Sequence, residues 1–348
     1  MYSSVLIVGV SPESLSQPMC LAIAAHKPAL LILASRSQTK INKVIDEIRS
    51  SASNVAVSSV VVDLSSFPSI RSAAAEIKNL TSKLDIIINN AAVNPLTRQL
   101  AGSGIELHFG TNHLGPFLLT NLLLPLLEQA AKSSSAPGST RIVNLTSQGH
   151  RISPIRFSDI NFEKIFRDLP VEERPPTGLP PAFFDPEKAF SPFVAYGQSK
   201  TSNILFSVYL TKHLKEKGIM SYAVHPGCKS PLVLFDGLEL MKQAIWTGLA
   251  RSLDEDARNI IKKMGNRWKN AQQGAAPALI AAFDPALNGE FDDGCLSSGT
   301  DVVDWNTENG VYLVECQFGK AADFAMDPEA AESLWRLSER LVGLMGGG

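Results

Sequence analysis

Up to His225 the chain alternates short apolar runs with segments of helical spacing, and few folds accept that rhythm. The pattern predicts strands over Val5–Gly9, Ala29–Ala34, Val55–Leu64, Leu84–Asn89, Arg141–Thr146 and Ser221–His225. Between them it predicts helices over Pro18–His26, Lys40–Ile48, Ile70–Leu80, Leu107–Lys132 and Tyr196–Lys217. Strands that are apolar throughout need cover on both faces, which a parallel sheet with helical crossovers supplies. The expectation is an α/β, doubly wound, Rossmann-like parallel sheet forming a single domain over residues 1–348. Ligands of such a sheet bind outside the carboxyl ends of its strands.

Two stretches break the rhythm. Residues 148–195 are rich in proline and phenylalanine, with Pro175-Pro176, Pro180-Pro181, Phe183-Phe184, Phe190 and Phe193. Residues 230–274 hold two amphipathic segments, 238–253 and 254–268. Loops this long are functional or disordered, and their apolar content marks both as expected substrate lids over an apolar small molecule. Beyond them a strand over Val311–Cys316 and a helix over Pro328–Val342 are predicted.

The chain has 348 residues, 45% hydrophobic and 19% charged, enough for a large core. A net charge of -2 and a pI near 6.3 argue against nucleic acid or an anionic membrane as partner. The apolar run Phe117–Leu127 is broken by Asn121 and Pro125 and is too short to span a bilayer. The N-terminus lacks a basic, cleavable leader pattern, and Cys20, Cys228, Cys295 and Cys316 form no CxxC, so reduced thiols and a cytoplasmic location are expected. His108 and His113, the closest histidine pair, read as loop or core residues, and no metal site is expected.

Tyr196-Gly-Gln-Ser-Lys200 carries the chemistry. Positions four apart share a helix face, so the Lys200 ammonium can act on the Tyr196 phenol. A nearby cation is expected to lower the phenol's pKa from about 10, letting it exchange a proton with a carbonyl or alcohol oxygen.

In order along the chain stand Asp63-Leu64, Asn89-Asn90-Ala91, Asn112 in Thr-Asn-His-Leu-Gly, Ser147, Tyr196-x-x-x-Lys200 and His225-Pro226-Gly227. This order resembles the short-chain dehydrogenase/reductases, and the C-terminal half resembles their retinol-dehydrogenase-like and fungal metabolic members. The resemblance implies Tyr196 as general acid/base, with Lys200 lowering its pKa and contacting the nicotinamide ribose. It implies Ser147 as the group orienting the substrate oxygen, and Asn112 as the holder of a water that relays protons to Lys200. It also implies cofactor contacts at Gly9, Ser11, Arg36, Asp63, Leu64, Asn90, Ala91, Lys200, Pro226, Gly227 and Ser230. Leu118, Leu122, Leu123, Leu127, Leu205 and Leu210 fall on helices that the family often uses for homodimers or homotetramers, and buried core is the equal alternative.

The chain departs from the family at the glycine-rich turn after the first strand. Only Gly9 is kept, and Glu13 and Ser16 replace expected glycines. A carboxylate about 5 Å from a pyrophosphate would cost roughly 3 kcal/mol at an effective dielectric near 20. Arg36, with no acid beside it, suits the 2′-phosphate of NADP(H). The expected activity is NADP(H)-dependent reduction of a carbonyl or oxidation of a secondary alcohol. The alternative is a non-redox isomerase, dehydratase or cyclase using Tyr196, Ser147 and Lys200 with weakened cofactor binding.

Overall fold

Residues 3–179, 183–227, 270–288 and 310–344 are described by the computed structural model. Strands β1 (Ser4–Val8), β2 (Leu30–Ser35), β3 (Val57–Val61), β4 (Ile86–Asn89), β5 (Thr140–Leu145), β6 (Ile219–His225), β7 (Tyr312–Val314) and β8 (Gln317–Phe318) form one sheet. Its order is β3-β2-β1-β4-β5-β6-β7-β8, and all neighbours are parallel except the β7/β8 pair. The order reverses between β1 and β4, and that switch point is where such sheets open a crevice for ligands.

Helices cover both faces, as the apolar strands require. One core lies between the sheet and α1 (Ser16–Ala25), α2 (Gln38–Ser51) and α7 (Ala271–Phe283). The other lies against α3 (Phe67–Leu80), α5 (Gly115–Ser133), α6 (Pro192–Leu214) and α8 (Pro328–Val342). Local sequence sets the helix starts: Ser37, Ser66 and Asp327 accept hydrogen bonds from the first-turn amides of α2, α3 and α8. The helices then bury spaced apolar stripes such as Ile41, Val44, Ile45 and Ile48.

The run Leu107–Ser133 is long and apolar enough to cross a membrane by length and composition. Here it is a core element made of α4 (Leu107–Phe109), a π turn (Gly110–Leu114) and α5. Leu118, Leu123, Leu127, Leu205 and Leu210 are buried in the chain's own core, and Leu122 packs against it. Helix α8 covers this side: Trp335 stacks on Tyr209 with ring centres 3.9 Å apart and meets Phe117 at 4.8 Å.

One feature differs from expectation. The predicted strand Val311–Cys316 stops at Val314, because Glu315 and Cys316 both take left-handed backbone (φ 55° and 67°). That pair of conformations makes a tight hairpin into β8. The described part of the stretch 148–195 forms a wall with its own small core, built from Ile152, Phe162, Phe166, Leu169, Phe183, Val194 and Ala195. The second stretch, 230–274, lies outside the described residues except for its last few, where Ala271–Gly274 begin α7.

Buried Arg156 pins the wall. It donates to the carbonyls of Ala189 (3.0 Å) and Lys164 (2.8 Å), pairs with Asp159, and lies 4.2 Å from the Phe162 ring centre. Asp159 in turn accepts from the amides of Glu163 and Lys164, both at 2.9 Å. Removing one partner of a buried ion pair leaves an uncompensated charge. Arg156→Met is therefore expected to lower unfolding free energy by about 3 kcal/mol. Urea unfolding checks this, and an unchanged midpoint contradicts it.

Candidate active site

The residues expected to carry the chemistry come together where β5 ends and α6 begins. Thr146 Oγ1 donates to the Lys200 carbonyl at 2.8 Å, tying the strand end to the helix. Ser147 caps the next turn, its Oγ accepting from Gly149 N at 3.1 Å. The helix approaches this turn closely because residue 197 is glycine: a Cβ there would lie 2.7 Å from the Gly149 carbonyl oxygen. The approach brings the Tyr196 hydroxyl into hydrogen-bond contact with Ser147. Lys200 Nζ lies 5.6 Å from the Tyr196 ring centre and donates to the Leu145 carbonyl at 2.9 Å.

The structure reverses the expected shift of the phenol. Burial pushes Tyr196 up to about 12, and its hydrogen bond to Ser147 only partly opposes this. Burial also pushes Lys200 down to about 7. Helical spacing reports the cation but not desolvation, which disfavours the charged form of both groups. Tyr196 therefore holds its proton through neutral pH, as a proton donor to a carbonyl oxygen must.

Asn112 sits in the π turn, a widened helical turn of the kind that marks functional positions. Its carboxamide accepts from Val93 N at 2.7 Å and donates to the Val93 carbonyl and to Ser199 Oγ, both at 3.0 Å. Ser199 Oγ donates to the Tyr196 carbonyl at 2.7 Å. The Asn112 side chain is thus a brace within the protein.

The residues expected to contact a cofactor follow the carboxyl ends of β1, β3, β4 and β6. Gly9 has φ +93°, and a Cβ there would lie 2.5 Å from Ala91 Cα. Asn90 Nδ2 donates to the Gly9 carbonyl at 2.9 Å, joining the loops after β1 and β4. Asp63 Oδ1 accepts from Ser65 N and Oγ, at 2.9 and 2.7 Å. Leu64 is buried and abuts Gly115, so only its backbone could reach a ligand. Pro226 and Gly227 (φ +87°) follow β6. Ser230 lies outside the described residues.

The turn between Gly9 and α1 replaces glycine by other means. Glu13 is exposed and holds the left-handed backbone (φ 53°) that a glycine would take without strain. Ser14 Oγ bonds to the Ser11 carbonyl and to Ser16 Oγ, both at 2.7 Å, and Ser16 Oγ accepts from Ser11 N at 3.2 Å. Helix α1 starts at Ser16 behind Leu15, which offers no side-chain cap, and it has no acid in its first turn, so its end can receive an anion. Arg36 is exposed beyond β2. These residues fit a dinucleotide of the NAD(P) type.

Sequence reasoning missed Gly149 and Gly197, although a glycine directly after the key tyrosine is itself a signal of close approach. It also missed the buried Glu106–His108 pair beside Tyr196. Among the described residues, no group of three or more His, Cys, Asp or Glu could hold a metal.

The Lys200 shift has a measurable consequence. The unfolded chain keeps Lys200 protonated to about 10.5, whereas the folded, ligand-free chain releases the proton near 7. Between those values the unfolded state binds more protons, so Lys200 makes stability rise with pH. The limit is roughly 1.4 kcal/mol per pH unit. Wild-type stability is expected to rise between pH 7 and pH 9 relative to Lys200→Met. A constant difference in urea unfolding across that window contradicts the assignment.

Comparison with known proteins gives the family. A family model described as short chain dehydrogenase matches residues 3–158. Oxidoreductase fscI of Fusarium equiseti is 35% identical over 233 residues, covering 66% of this chain and 89% of that protein. Human retinol dehydrogenase 11 is 35% identical over 321 residues, covering 92% of this chain and 80% of that protein. Among solved structures, the Pseudomonas aeruginosa RhlG/NADP active-site complex matches with a TM-score of 0.56 at 20% identity, over 82% of this chain and 92% of that one, a likeness of fold. The chain belongs to the short-chain dehydrogenase/reductase family and is of its retinol-dehydrogenase-like type.

Proposed function

We propose that the chain is an NADP(H)-dependent oxidoreductase that reduces a carbonyl, or oxidises the matching secondary alcohol, on an apolar small molecule. The observation that carries this reading is the Ser147–Tyr196 hydroxyl pair beside Lys200, at the same sheet edge as the uncapped end of α1. In the reducing direction Tyr196 gives its proton to the substrate oxygen as negative charge develops there, and Ser147 hydrogen-bonds the same oxygen. When bound, the nicotinamide supplies the hydride. Lys200, close to the Tyr196 ring, steadies the phenolate that proton donation leaves. Arg36 suits the 2′-phosphate, where a guanidinium can bond in bidentate fashion. The aromatic wall over residues 148–195 suits an apolar substrate body, and a relative named for retinol, an apolar alcohol, supports that class.

A second reading rests on one observation. The Ser11, Ser14 and Ser16 bonds close the first turn on itself, and Glu13 adds a carboxylate there. If that turn rejects a pyrophosphate, the same hydroxyl pair would serve a non-redox isomerase, dehydratase or cyclase.

Calorimetric titration separates the two readings. NADPH is expected to bind in the micromolar range. Arg36→Ala is expected to weaken NADPH at least about tenfold and to leave NADH within about twofold. No heat of binding at millimolar NADPH overturns the oxidoreductase reading and supports the non-redox one.

A further inference from the structure

Two side chains one helical turn apart, His108 and Asn112, grip consecutive residues of the segment after β4. Asn112 holds both backbone groups of Val93, and His108 Nε2 lies 3.2 Å from Asn94 Oδ1. Behind His108, its Nδ1 pairs with Glu106 Oε1 at 2.7 Å, while Glu106 Oε2 accepts from Phe109 N at 3.0 Å. Both side chains are fully buried. The Glu106 amide donates to Asn161 Oδ1 in the aromatic wall at 2.9 Å. The His108 ring stands edge-on to Tyr196 and tilted to Phe190, with ring centres 6.4 Å away in each case.

The gripped segment joins the two halves of the site. At residues 90 and 91 it is fixed to Gly9, in the turn that faces the dinucleotide. At Val93 it is fixed through Asn112 and Ser199 to the backbone of Tyr196. Burying a carboxylate and an imidazole is expensive, and apolar residues of the same size would fill the space without that cost. The pair instead supplies direction: Glu106 takes the Nδ1 proton and orients the ring, which leaves Nε2 to accept from the Asn94 carboxamide, turned so that its NH2 faces the ring.

We propose that His108, oriented by Glu106, is a positioning residue that fixes the spacing between the hydride-donating and proton-donating halves of the site. The kinetic part of this inference rests on the oxidoreductase reading; the structural part does not. An ångström of misplacement can cost about a hundredfold in rate.

The test uses the full chain and the variants His108→Gln and Asn94→Ala. Asn94 is only partly buried, so its variant leaves the Glu106–His108 pair in place should His108→Gln fail to fold. Hydrogen exchange over residues 90–97 is expected to quicken about tenfold in both variants. NADPH affinity and KM should stay within about twofold of wild type. With phenanthrenequinone as an apolar dicarbonyl probe, kcat should fall about tenfold or more, and the isotope effect from NADPH deuterated at C4 should rise. Unchanged exchange overturns the proposal whatever the activity, and so does faster exchange with wild-type kcat. A wild-type protein that neither binds NADPH nor reduces the probe defeats the oxidoreductase reading, and the exchange result then decides by itself whether His108 holds the segment.

Discussion

The contact between Gly197 and the turn after β5 governs the rest of the site. Without a side chain at residue 197, the first turns of α6 lie against the Gly149 carbonyl. Tyr196 then meets Ser147, and Lys200 is drawn under the end of β5. Desolvation follows from that close packing. It keeps the phenol protonated and weakens the hold of Lys200 on its own proton, and a cation on the phenol's helix face does not outweigh it. A larger residue at 197 would separate the hydroxyls before it changed any charge.

The helices that present these groups are held from behind by α8. Trp335 touches Phe117 of α5 and stacks on Tyr209 of α6. Ser338 Oγ bonds to Nε2 of His113, next to Asn112 in the π turn, at 2.8 Å. Its own proton goes to the Leu334 carbonyl, so it accepts the Nε2 proton of His113. His113, pushed by burial down to about 3, stays neutral as this tautomer requires. The C-terminal helix therefore braces both catalytic helices from the side opposite the sheet.

Local periodicity made the main frame legible in the sequence. Strand ends at Val8, Asn89, Leu145 and His225 follow from apolar runs that stop at turn residues, and the pairing of Tyr196 with Lys200 follows from helical spacing. What stayed hidden depends on distant packing. The β7/β8 hairpin turns on Glu315 and Cys316 in left-handed backbone, residues that carry no turn signal. The direction of the Tyr196 shift depends on burial, which spacing does not report. Arg156 reads as an ordinary charge until Phe162, Phe166 and Asp159 close around it. Glu13 reads as a misplaced charge until its exposure and backbone are seen.

In the proposed reaction Tyr196 moves a proton while a hydride moves beside it. A single-turnover reaction of the wild-type chain with C4-deuterated NADPH and an apolar ketone tests it most directly. Deuterium should appear on the carbinol carbon of the product, and Tyr196→Phe should slow its appearance by about a hundredfold or more while NADPH still binds. Product without deuterium, or transfer at an unchanged rate in Tyr196→Phe, would contradict the account.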